Sequence, residues 1–258
     1  LDTTSAAPTL SLASDTGSST TDNITNNGTI NVGGLEAGAT WQYSTNGSTG
    51  WTSGTGSSFT VTGDGAKTYY VRQTDLAGNV SANSTLLSFT LDTTSAAPTL
   101  SLASDTGSST TDKTTSNGTV NVSGLETSAT WQYSTDSGTT WTNGTGSSFS
   151  LTGDGAKAVI VRQTDLAGNT SANSTSLSFT LDTTSAAPTL SLASDTGSST
   201  TDRTTSSGTV NVSGLETSAT WQYSTDSGTT WTNGTGSTFT LTGDGAKAVI
   251  VRQTDLAG

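Results

Sequence analysis

Apolar and polar residues alternate along most of the chain, in short runs. Pro8–Ala13 puts Leu10 and Leu12 on one face, Thr29–Leu35 puts Ile30 and Val32 there, and Thr40–Thr45 adds Trp41 and Tyr43. Ser58–Thr62 brings Phe59 and Val61, Lys67–Asp75 brings Tyr69 and Val71, and Thr85–Leu91 brings Leu87, Phe89 and Leu91. A period of two marks a half-buried β-strand. Turn residues separate the runs: Asn46-Gly47 precedes a short strand around Trp51, as in a tight hairpin, and Gly63-Asp64-Gly65 turns the chain before Lys67. No segment has helical period. About seven antiparallel strands in some 90 residues predict an all-β fold, an immunoglobulin-like β-sandwich that needs no disulfide.

The pattern then recurs. LDTTSAAPTLSLASDTGSSTTD starts at Leu1, Leu91 and Leu181, a period of 90 residues. The first two copies differ at 19 of 90 positions, and the second and third at 4 of the 78 they share. That period is too long for a solenoid, so each copy is expected to be a domain with its own core: 1–90, 91–180 and 181–258. Tandem sandwiches joined by short linkers are expected to form an extended rod. The third copy has nothing matching Asn169–Thr180, the last strand. Such a copy reads as part of a longer array, or as a domain that accepts a missing edge strand from another chain.

Composition narrows the function classes. The chain has 258 residues, 20 acidic against 8 basic side chains, a net charge of −12, and no His or Cys. There is thus no imidazole base, no thiolate and no zinc site of the usual ligands, and no activated nucleophile can be built for an enzyme. Eight scattered cations assemble no basic patch, which argues against nucleic acid. No stretch approaches the roughly 20 apolar residues of a membrane helix, and no signal peptide opens the chain. High Ser, Thr and Gly content would suggest disorder, but the ordered alternation argues against it.

Four segments in fixed order carry a family resemblance: the linker Leu1–Pro8, SDTGSSTTDNIT (Ser14–Thr25), WQYSTNGSTGW (Trp41–Trp51) and GDGAKTYYVRQTDLAGN (Gly63–Asn79). In the second copy the third of these contains YSTDSGTTW (Tyr133–Trp141). The chain resembles the bacterial immunoglobulin-like repeats of giant adhesins secreted by type I systems in Gram-negative bacteria. The resemblance implies an extracellular, cell-surface stalk that projects a distal adhesive domain toward a host or biofilm surface. It also implies calcium at the junctions.

Topology points to the junctions independently. With the first strand running away from the N-terminal end, the loop Ser14–Gly28 and the turn Gly63–Gly65 lie at the far end of a domain. The loop Asp75–Asn83 lies at the near end, beside the domain's own linker. The first junction is then expected to gather Asp15, Asp22, Asp92 and Asp165, and the second Asp105, Asp112, Asp182 and Asp255. Asp2 and Asp75 hold the corresponding near-end positions of the first repeat. Asp64, Asp154 and Asp244 are weaker candidates, because Gly-Asp-Gly reads first as a turn. Carboxylates about 5 Å apart repel by roughly 3 kcal/mol per pair at an effective dielectric of 20, which calls for a counter-cation. Ca2+ takes six to eight oxygens in flexible geometry and suits loop-built sites better than Mg2+. The competing role for each Asp is to cap backbone amides in a turn.

Other residues are expected to be structural. Trp41, Trp131 and Trp221 read as core pins, and Glu36 and Glu126 as solvated. Lys67, Lys157 and Lys247 follow a GDGA turn with no buried acid to drive an isopeptide link. The favoured reading is a structural spacer. The alternative is a binding module that grips a glycan or protein through Trp51, Trp141 and Trp231 and the loop Asn46–Gly50.

Overall fold

The structure, a computed structural model, describes all residues from Leu1 to Gly258. The first repeat forms eight strands: β1 (Thr9–Leu12), β2 (Ile24–Thr25), β3 (Thr29–Gly33), β4 (Thr40–Ser44), β5 (Thr52–Ser53), β6 (Ser58–Thr60), β7 (Gly65–Thr74) and β8 (Leu87–Leu91). They make two sheets, ordered β1-β3-β6 and β2-β8-β7-β4-β5. The second repeat repeats this with β9 (Thr99–Leu102), β10 (Thr114–Thr115), β11 (Thr119–Ser123), β12 (Thr130–Ser134), β13 (Thr142–Asn143), β14 (Ser148–Ser150), β15 (Gly155–Thr164) and β16 (Leu177–Leu181). Its sheets are ordered β14-β11-β9 and β10-β16-β15-β12-β13.

The alternating apolar residues face one another between the sheets. Ile30, Phe89 and Leu91 pack with Leu10, Leu12, Phe59, Val61, Tyr69 and Leu87. Val32, Trp41 and Val71 form the other half of the core with Leu35 and Tyr43. Tyr43 stacks on Phe59 with ring centroids 4.2 Å apart. Trp41 is 3% exposed, and its Nε1 donates to the Gly56 carbonyl at 2.8 Å, so its polar atom is satisfied. The expected core pin is thus found in place.

Two strand expectations need correction. The short strand after the hairpin is Thr52–Ser53 and does not include Trp51. One strand escaped the pattern entirely: β2 runs parallel to β8, pairing Ile24 with Thr90 and Thr25 with Leu91, so the sandwich is not wholly antiparallel. Two residues are too few to show a period. What holds β2 is Thr25, fully buried, whose Oγ1 donates to the Ser14 carbonyl at 2.8 Å and accepts from the Asn27 amide at 3.0 Å.

The third repeat has β17 (Thr189–Leu192), β18 (Thr209–Ser213), β19 (Thr220–Ser224), β20 (Thr232–Asn233), β21 (Thr238–Thr240) and β22 (Ile250–Thr254). The counterpart of β8 is not in the chain, and that strand is no edge strand: it sits inside the larger sheet, between β2 and β7. Two elements lose their ladder partner with it. Residues 245–249 do not join β22, and residues 204–205 form no strand. The larger sheet shrinks to β20-β19-β22.

Candidate metal centre at the repeat junctions

At the near end of the second repeat, β15 stops at Thr164 and the chain turns through Asp165–Asn169. Asp165 organises that turn. Its Oδ1 accepts from the Asn169 amide at 2.8 Å and its Oδ2 from the Asn169 side chain at 2.7 Å. Asn169 Nδ2 also donates to the Asp92 carbonyl at 2.8 Å, tying the turn to the linker. Asp92 is tied to the preceding repeat, since its amide donates to the Thr25 carbonyl at 3.0 Å.

Glu126 completes the group. Its Oε1 accepts from the Ala96 amide at 2.8 Å and from Ser95 Oγ at 3.2 Å, both in the linker. Its backbone is fixed by Gln163, fully buried on β15, whose Oε1 accepts from the Glu126 amide at 2.8 Å. Gln163 Nε2 donates to the carbonyls of Ala96 and Gly124 at 2.7 and 3.2 Å. Asp92, Glu126 and Asp165 each present an oxygen within 4.8 Å of the others. Asp182, Glu216 and Asp255 do the same at the second junction, with Glu216 held by the Ala186 amide and Gln253.

The expected membership is corrected on two points. Glu126 is not a solvated residue; it is half-buried, bonded to the linker and part of the group. Glu36 is likewise bonded to Ser5 and Ala6. The far-end aspartates do not join: neither Asp15 and Asp22 nor Asp105 and Asp112 are among the clustered carboxylates. Asp22 and Asp112 are exposed and accept from the amides of Ile24 and Thr114, the capping role. Asp15 and Asp105 accept through Oδ2 from the amides of Asn23 and Lys113, while Oδ1 of each is buried with no partner. Asp195 has the same orphan oxygen.

Asp2, Glu36 and Asp75 of the first repeat stay outside such a group. Asp75 is 8% exposed and bonded as Asp165 is; the Asn79 side chain first, then backbone amides, hold its carboxyl below the usual range. Asp64 and Asp154 clamp the following linker. Asp64 accepts from Thr93 through both N and Oγ1, at 3.1 and 2.8 Å, and Asp154 from Thr183 at 2.9 and 2.7 Å. The Thr183 bonds, with Thr184 and nearby Lys157, depress the Asp154 pKa. Asp244 is exposed.

Neighbouring repeats touch beside the carboxylates. Thr16 Oγ1 donates to the Ala167 carbonyl at 2.7 Å, and the Ser18 amide approaches the Leu166 carbonyl at 3.4 Å. Thr106 makes the same bond to Ala257. Ala167 and Ala257 are fully buried, whereas their counterpart Ala77 is exposed and Leu76 beside it is 82% exposed. The near-end loop is therefore a docking face for the loop of the repeat before it.

The edge tryptophans are less available than a binding platform requires. Arg72 lies over the Trp51 ring at 4.0 Å, and Arg162 and Arg252 cover Trp141 and Trp231 at 4.0 and 3.9 Å. Trp141 Nε1 donates to the Gly138 carbonyl; Trp51 Nε1 is buried without a partner, because its hairpin loop has a different sequence.

Residues 3–93 match the model of the bacterial Ig-like domain. The first repeat is a bacterial Ig-like domain. The other repeats are copies of it, so the chain is a tandem array of bacterial Ig-like domains. No curated protein matches it. Among solved structures, the fibronectin(III)-like modules of Clostridium thermocellum CbhA are 11% identical, over 67% of this chain and 93% of that one, with a TM-score of 0.37. The FN1-FN3 domains of chicken CNTN1 are 11% identical over 100% and 95%, with a TM-score of 0.31. A tetra-tandem repeat from the extending region of a large adhesion protein is 18% identical over 98% and 67%, with a TM-score of 0.27. No helix of this Ig-like array is long and apolar enough to cross a membrane.

Proposed function

We propose that the chain is a spacer segment of a bacterial cell-surface adhesin, with calcium bound at its interdomain junctions, projecting an adhesive domain away from the cell. The observation that carries this reading is the recurrence of one carboxylate triad at both junctions, on residues of the linker and of the domain that follows. The donor set fits a hard cation: every side chain is an oxygen donor, and three clustered carboxylates repel unless neutralised. Asp92, Glu126 and Asp165 would hold the first ion and Asp182, Glu216 and Asp255 the second. Asp15 and Asp105, each with an unpartnered buried oxygen in the neighbouring loop, are candidates to complete the shells. The bound ion supplies charge neutralisation and a cross-link between linker and domain. Near-identical copies suit this role, because a spacer needs length and no distinct site in each copy.

Calcium titration of the array, followed by small-angle scattering and thermal melting, tests the reading. Calcium is expected to raise Tm and narrow the spread of interdomain angles. Asp165→Asn together with Asp255→Asn is expected to remove both effects and leave the sandwiches folded. Unchanged melting and scattering on adding calcium or chelator would sink the metal assignment.

A further inference from the structure

Asparagine is placed in this chain with a neighbour in mind. Of 14 asparagines, 12 stand in Asn-x-Ser/Thr with x other than Pro, although 102 of 258 residues being Ser or Thr would complete fewer than half of them. Copying of repeats does not account for this: the asparagines occupy eight distinct positions of the repeat, and seven are completed in at least one copy.

The fold bonds or covers nine of the twelve: Asn46, Asn79, Asn83 and Asn169 donate through Nδ2, Asn27, Asn117, Asn121 and Asn211 are half-buried, and Asn23 is followed by a buried hydroxyl. Asn46 caps its loop, accepting from the amides of Ser48 and Thr49 and donating to Thr49 Oγ1. Asn169 donates to Asp165 and to the linker. The hydroxyl that follows Asn23 belongs to the buried Thr25. Three are left over. Asn143 and Asn233 are exposed; each accepts through Oδ1 from Gln132 or Gln222, at 2.9 and 2.8 Å, and its Nδ2 donates to no protein group. Asn173 is exposed and bonds through its side chain to nothing. The hydroxyl residues that complete the three, Thr145, Thr235 and Thr175, are exposed as well.

Within Thr-Asn-Gly-Thr, packing demands the glycine. A Cβ on Gly144 would stand 2.3 Å from the Trp131 ring. The asparagine is dispensable to the sandwich, since Ser53 fills its position in the first repeat. Asn143 and Asn233 also end β13 and β20, which border their sheets. These two-residue edges carry no charge and are blunted by their shortness alone.

We propose that Asn143, Asn173 and Asn233 are acceptors for N-linked sugar, added by a transferase that uses a sugar activated through pyrophosphate. Nδ2 attacks the anomeric carbon, and a C–N bond forms as the C–O bond to pyrophosphate breaks. The amide proton passes to a base of the transferase, and the donor leaves as a nucleoside diphosphate or a lipid pyrophosphate. A sugar on β13 and β20 shields an edge that has no charge to protect it and solvates a chain poor in charged groups.

The test is intact mass and peptide mapping of the protein recovered from its native cells. Peptides with Asn143, Asn173 and Asn233 are expected to exceed their sequence mass by whole sugar units, while those with Asn46 and Asn169 do not. Asn143→Ser, a residue the first repeat tolerates, and Thr145→Ala are each expected to delete one acceptor's sugar. Single hexoses indicate a nucleotide-linked donor and a preassembled oligosaccharide a lipid-linked one. Unmodified peptides at all three sites overturn the proposal. Equal modification of Asn46 and Asn169 overturns the structural selection, and sugar that persists in both variants places it on Ser or Thr instead.

Discussion

Asn46 and Asp136 hold the same loop in different repeats, and only one of them can be protonated. Asp136 accepts from Thr140 through Oγ1 and N and from Ser134 Oγ, at 2.6 to 3.1 Å. The Thr140 hydroxyl first, then its amide, then Ser134, bring the Asp136 pKa from 3.8 to about 2, and Asp226 is held at about 2 in the same way. A pKa depressed in the folded state contributes stability that is complete above the unfolded value, about pH 4, and is lost as pH falls through about 2. The Thr140 and Thr230 amide resonances are therefore expected to titrate near pH 2, while that of Thr49, bonded to Asn46, stays still. A midpoint near 4 for Thr140, or equal movement of Thr49, would contradict these bonds.

At the scale of strands and loops, the alternating runs were legible because each inward residue belongs to a period-two run. The facing of Leu10, Ile30, Trp41, Phe59 and Val71 follows from it directly. Strand β2 was not legible, since its two residues are held by one threonine hydroxyl and not by a pattern. The candidate site was half legible. Asp92 and Asp165 follow from topology, but Glu126 depends on Gln163, which sits at an inward position of β15 where an apolar residue is the default. The available signal was that each repeat has a single glutamate, always at the same place: Glu36, Glu126 and Glu216. Gln163→Leu would strand the Glu126 amide and the carbonyls of Ala96 and Gly124. A buried group left unpaired costs about 1–3 kcal/mol, but Ala96 and Gly124 are exposed and Glu126 is half-buried, so water recovers part of the loss. One of the three unfolding transitions is expected to move down by about 1 kcal/mol, and calcium affinity at the first junction to fall with it. An unchanged denaturation curve would show that Gln163 is not the anchor.

For the molecule as a whole, the junction is a contact between two loops, and glycine makes room for it. A Cβ on Gly17 would lie 2.0 Å from the Leu166 carbonyl oxygen, whereas one on Gly197, the same position in the third repeat, meets nothing within 4 Å. Both have positive φ, +94° and +106°, so alanine costs each a similar backbone penalty of about 1–2 kcal/mol. Gly17→Ala is expected to open the first junction and change the scattering profile, and Gly197→Ala to leave the profile as it was. Identical profiles would mean that the loops do not dock in solution.

Because β2 runs parallel to β8, the two bonds that lock them, from Thr90 to the Asn23 carbonyl and from Asp92 to the Thr25 carbonyl, lie side by side along the chain direction. Tension drawn between the ends of a repeat pulls β8 toward its C-terminus and the N-terminal segment the opposite way, so these bonds are strained together in shear and cannot be unzipped in turn. The second of them starts at Asp92, the linker residue of the carboxylate triad. The load path through each of the first two repeats therefore runs into the next one at the junction itself.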